Sequence, residues 1–133
     1  MKTPKSFTVQ EANHALALVR PIMEDLQKAW HSLQTLKSDP NANPQVMQNW
    51  LQLIEHGLKD MQQVGCDCKD MDLGLVDFPS IYKGETVHLC WSLKDEHVMH
   101  WHPVDQGYQH RMLIDQDFLL FNGINADSLA SSR

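Results

Sequence analysis

The chain has 133 residues, a formal charge of −6, 42% hydrophobic and 21% charged residues, a size that suits one domain able to bury its own core without staples. The acidic balance argues against a general grip on nucleic acid, which needs clustered Lys and Arg, and no apolar run approaches the roughly 18 residues of a membrane span. The opening MKTPKSFTVQ has two lysines but no apolar block behind them, unlike a secretory signal, so a soluble cytoplasmic protein with neither nucleic acid nor membrane as partner is expected.

The first element is helical. Thr8 and Glu11 have the spacing of a capping box, in which each side chain satisfies the other's backbone N–H. Apolar residues then recur at threes and fours, through Ala12, Leu16, Val19, Met23, Leu26, Trp30 and Leu33. Pro21 interrupts this stripe and predicts a kink near Ala17 to Pro21, not two helices. After the loop KSDPNANP, Asn43 and Pro44 form an N-cap and first turn, and Met47, Trp50, Leu51, Ile54, Leu58, Met61 and Val64 form a second stripe closed by Gly65. The short loop makes the pair an antiparallel hairpin over about 8–64. His14, His31 and His56 fall off the stripes and are expected in solvent.

Beyond Gly65 the period changes to two. CDCKD, LVDFPSIY, ETVHLCWSL and HVMHWHP read as short strands with hairpin-length connections, a meander over about 66–103. The expected fold is therefore α+β, an N-terminal helical hairpin covering a three- to four-stranded antiparallel meander. One domain is expected over 1–133, with a C-terminal segment 104–133 that ends in a frayed NADSLASSR tail. Pro79 cannot donate to a ladder, so its strand is either an edge or breaks there. In PVDQGY, Gly107 stands at the tightest point of a turn that would return Tyr108 to the core, with Arg111 beyond.

Residues 88–111 hold five of the eight histidines. With a three-residue KDE connection, Leu93 faces His97, Trp91 faces Met99 and Leu89 faces Trp101 on an apolar side. The other side then carries His88, Cys90 and Ser92 across from His102, His100 and Val98. His88, Cys90, His100 and His102 are candidate ligands for a transition metal such as zinc, nickel or iron, or for haem. A two-residue turn would scatter them over both faces. The competing account is a solvated sheet face, since the paired C-x-x-C knuckles of recognisable zinc sites are absent. Cys66 and Cys68, too close for a relaxed disulfide with each other, would add ligands only if their strand ran alongside.

Taken in order, FTVQEAN, GLVDFPS, LCW, WH and GYQHR resemble the bacterial domain of unknown function 2203 family from Phe7 to about Arg111. The resemblance implies no activity. It does single out Glu11, Asn13, Asp77, Cys90, His102, Gly107 and Arg111, while His88, His100 and His110 stand outside its pattern. Asp77, His102 and Arg111 form a second constellation: a carboxylate and imidazole for proton transfer with a guanidinium for a small anionic ligand. An internal Asp–Arg or Asp–His bridge is the structural alternative. Three functions compete: a binding or interaction domain that self-associates as a homo-oligomer, a metal- or haem-binding protein, and an enzyme acting on a small anion. No G-x-S-x-G elbow or glycine-rich phosphate loop is present.

Overall fold

The computed structural model describes residues 6–124, so the NADSLASSR tail lies outside the described residues. The Thr8 hydroxyl accepts the Glu11 N–H at 3.2 Å, and the Glu11 carboxylate accepts the Thr8 N–H at 2.9 Å, which starts helix α1 at Val9–Lys37. This helix passes through Pro21 as one element, with Pro21 exposed where water can take up the carbonyl it leaves without a donor. Its buried stripe runs Val9, Ala12, Leu16, Val19, Met23, Leu26, Ala29 and Leu33.

Helix α2, Pro44–Val64, begins where the Asn43 side chain accepts the Gln45 N–H at 2.8 Å and ends at Gly65, whose φ of 107° is left-handed. It is less buried than its stripe implies. Ile54 and Met61 are its buried residues, and Leu51 is 45% exposed. The two helices approach so closely at Gly57 that a Cβ there would lie 2.7 Å from Leu26 Cδ2.

The sheet has five strands, not three or four: β1 Asp67–Asp70, β2 Leu75–Tyr82, β3 Glu85–Ser92, β4 His100–Pro103 and β5 Met112–Leu113, antiparallel and in chain order. The α+β class stands, with the N-terminal helices packed on this sheet. The fifth strand is two exposed residues, too short to show a period in sequence. The short helix α3, Gln116–Phe121, was likewise not foreseen.

Turn chemistry sets the central register. Lys83 and Gly84 have φ of 52° and 81°, the two left-handed residues of a tight hairpin turn, and Tyr82 pairs with Glu85. Strand β2 continues unbroken through Pro79, which pairs with His88. Strand β1 covers only the first three residues of β2, and beyond them the free side receives Phe7, whose N–H donates to the Pro79 carbonyl at 2.7 Å. Proline's missing donor therefore falls on an edge and costs no ladder bond.

The third hairpin has the expected register but a different connection. His88 pairs with His102, Leu89 with Trp101 and Cys90 with His100, yet β4 starts at His100, so the expected pairs Trp91–Met99 and Leu93–His97 do not form in the ladder. Residues 93–99 are instead fastened onto α1. Trp91 Nε1 donates to the Asp95 carbonyl at 3.0 Å, Arg20 donates to the same carbonyl at 2.9 Å with its guanidinium 4.9 Å over the Trp91 ring, and the Asn13 side chain accepts the Val98 N–H at 2.8 Å. Each bond satisfies a connection group that a tight turn would have paired across the ladder.

The inner sheet face supplies Val76, Phe78, Leu89 and Trp91, all fully buried in one core with α1. Phe118 of α3 stacks on Tyr82 at 4.6 Å and lies 5.0 Å from Trp101. Among the described residues no helix is long and apolar enough to cross a membrane.

Candidate metal and ligand site

Strand alternation places Asp77, Cys90 and His100 in one cross-strand row and Pro79, His88 and His102 in the next, on the face turned away from the core. A solvated sheet face was the competing account of these residues. Asp77, Cys90 and His102 are instead 5%, 3% and 3% exposed. The chain leaving β4 borders a cavity of about 350 Å³ over them, with Val104, Gly107 and Tyr108 on one side and Lys69 on another.

One ligand atom each from Asp77, Cys90 and His102 lies within 4.8 Å of the others. His102 Nε2 is 3.0 Å from Asp77 Oδ2, and His102 Nδ1 is 2.9 Å from the Pro103 carbonyl. A carbonyl only accepts, so Nδ1 carries a proton and Nε2 faces the carboxylate. Such an arrangement needs a positive charge on the ring, a proton on Asp77, or a cation shared between Nε2 and the carboxylate. His88 Nδ1 also reaches toward Asp77 Oδ2, at 3.5 Å, and the His88 and His102 rings meet edge to face at 5.4 Å.

Burial pushes the Cys90 thiol up to about 12, the negative Asp77 adds to the rise and Arg111 opposes it. Without a cation beside it, Cys90 is a neutral thiol at pH 7 and a poor nucleophile. Burial likewise raises Cys66 to about 12 and Cys68 to about 11. Neither joins the cluster: Cys68 pairs with Val76 on the core side, and Cys66 is buried against Met61.

The four proposed ligands therefore divide. Cys90 and His102 come together, with Asp77 as their third member, while His88 and His100 stand outside the group. His100 is the cross-strand partner of Cys90, and its buried Nδ1 has no hydrogen-bond partner. Asp77 was missing from the metal set, although the Lys83–Gly84 turn fixes its pairing with Cys90. In the other constellation, Asp77 and His102 join directly, but Arg111 is exposed and stacks 3.9 Å over the Tyr108 ring. Tyr108 is itself 37% exposed and bounds the cavity instead of returning to the core. Gly107 has φ −106° and ψ −165°, an extended conformation that is not a tight turn. Glu11 and Asn13, both picked out by the family pattern, serve backbone groups far from this cluster.

Residues 5–114 match the family described as "Uncharacterized conserved protein (DUF2203)". No curated protein and no solved structure matches. That match covers most of the chain and takes in Asp77, Cys90 and His102 together, so the chain belongs to the domain of unknown function 2203 family, whose description assigns no reaction.

Proposed function

We propose that this protein binds a divalent transition metal of the zinc class through Asp77, Cys90 and His102. The observation that carries the reading is the convergence of three ligand atoms of different types within 4.8 Å on a buried face. Carboxylate, thiolate and imidazole together suit zinc, and three protein ligands leave a fourth position open. The bond from His102 Nδ1 to the Pro103 carbonyl supports it, because ligating histidines orient themselves through their other nitrogen. A haem is disfavoured, since axial ligands approach a planar ring along its normal and these three groups converge on one point. Three free thiols suit a reducing, cytoplasmic setting.

Elemental analysis of untagged protein, dialysed against zinc and then buffer, tests the reading. The expected result is near-stoichiometric zinc, with affinity reduced about 100-fold or more in Cys90→Ser. Protein that retains no zinc, or a Cys90→Ser variant that retains all of it, overturns the assignment.

We also propose self-association through α2, supported by the stripe Val46, Trp50 and Leu53, in which Val46 is 40% and Leu53 55% exposed. Equilibrium sedimentation should find a dimer that Leu53→Glu converts to monomer. A monomeric wild-type protein at high micromolar concentration removes this second reading.

A further inference from the structure

Gly107 borders the cavity above the three proposed ligands, yet its backbone does not require glycine. Any residue adopts φ −106° and ψ −165°, and a Cβ built there would meet nothing within 4 Å. Neither strain nor crowding explains the missing side chain. What its absence leaves is open space beside Cys90 and His102, in a cavity of about 350 Å³, room for a small molecule rather than a macromolecular segment.

The charges bordering this space have a sign. A divalent ion held by the Asp77 carboxylate and the Cys90 thiolate is formally neutralised. Lys69 stands in the lining, carried on the irregular stretch of β1 where the register shifts between Cys68 and Asp70, and Arg111 lies beyond it, its guanidinium 3.9 Å over the ring of Tyr108, which is itself a lining residue. Within the lining Lys69 and Asp105 balance, and Arg111 adds a positive charge from behind Tyr108 in a chain of −6. Stacking on Tyr108 fixes the guanidinium plane while leaving its N–H fork free to meet a planar oxyanion.

From this geometry we infer that the cavity is a binding site for a small oxyanion, of the carboxylate or phosphate class, which takes the fourth position on the metal. Lys69 in the lining, and Arg111 reaching in from its stack on Tyr108, hold its charge, and Gly107 leaves room for its body. The inference rests on the metal reading and specifies the class of molecule that site receives.

Cobalt(II) in place of zinc makes the site visible, because its d–d absorption reports coordination directly. The cobalt-loaded full chain is titrated with acetate and, separately, with inorganic phosphate. Saturable spectral change is expected, with the tighter of the two anions naming the source chemistry. Lys69→Glu should weaken the response about tenfold, and Gly107→Leu should abolish it by filling the cavity. Cobalt stoichiometry, read from the same spectra, shows separately whether each variant is folded and loaded. Cobalt bound with a spectrum that neither anion changes overturns this inference and leaves the metal site standing. So does a response that Lys69→Glu and Gly107→Leu both leave intact. Failure to bind cobalt at all overturns the metal reading and this inference together.

Discussion

Metal-free His102→Ala protein is expected to unfold at a lower urea concentration than the wild type, with a loss of about 3 kcal/mol, and to bind no zinc. His102 and Asp77 are 3% and 5% exposed, and their facing atoms are 3.0 Å apart. Removing the imidazole strands a carboxylate away from water, and breaking such a buried pair from one side costs about 3–5 kcal/mol. The lower end applies here because His88 Nδ1, at 3.5 Å, retains a partial hold on the same oxygen. A domain's whole stability is on the order of 5–15 kcal/mol, so the shift is large. Asp77→Asn in the same chain removes the stranded charge and should restore most of the loss, a coupling that a double-mutant cycle reads directly. A midpoint within about 0.5 kcal/mol of wild type for His102→Ala alone would mean that the pair carries no net interaction and that solvent reaches Asp77 freely.

Trp91→Ala should cost more, about 4 kcal/mol, for a different reason. The indole is fully buried on the inner face, and deleting so large a side chain leaves a void that the surrounding residues only partly fill. Its Nε1 also holds the Asp95 carbonyl, and its face supports the Arg20 guanidinium. The same substitution should therefore speed hydrogen exchange at Val98, which is tied to Asn13 in that connection. Calorimetry and exchange on one variant check both effects. A loss below about 1.5 kcal/mol, or an unchanged Val98 amide, would show that Arg20 and Asn13 hold the connection without the indole.

The helices were legible because their caps and apolar period are local. Thr8 with Glu11, and Asn43 with Pro44, act within one turn, and both work as their spacing predicts. The register of the last hairpin was legible for a related reason: pairing Leu89 with Trp101 is what buries its apolar residues together. The connection of residues 93–99 was not, since its bonds go to Arg20 and Asn13, far away along the chain. The site was half legible. His88, Cys90, His100 and His102 do share a face, but the covering of that face depends on the path taken after Pro103, and PVDQGY has no periodicity to reveal it. Asp77 belonged with Cys90 by turn arithmetic alone. Strand pairing draws Asp77 and His102 of the carboxylate constellation and Cys90 and His102 of the metal set into one cluster, and leaves His88, His100 and Arg111 outside it.

Asn122 joins the two ends of the described chain. Its side-chain oxygen accepts the Val9 N–H at 2.7 Å, and its amide nitrogen donates to Ser80 Oγ and to the Ile81 carbonyl, both at 2.9 Å. The Ser80 hydroxyl in turn donates to the Phe7 carbonyl. The entrance of α1, the end of β2 and the exit of α3 are thus one polar knot, closed across 113 positions of sequence. Neither end can fray alone: releasing Asn122 also frees a donor at the start of the most buried helix. The first and last described segments are therefore expected to open together, as one unit in native-state hydrogen exchange.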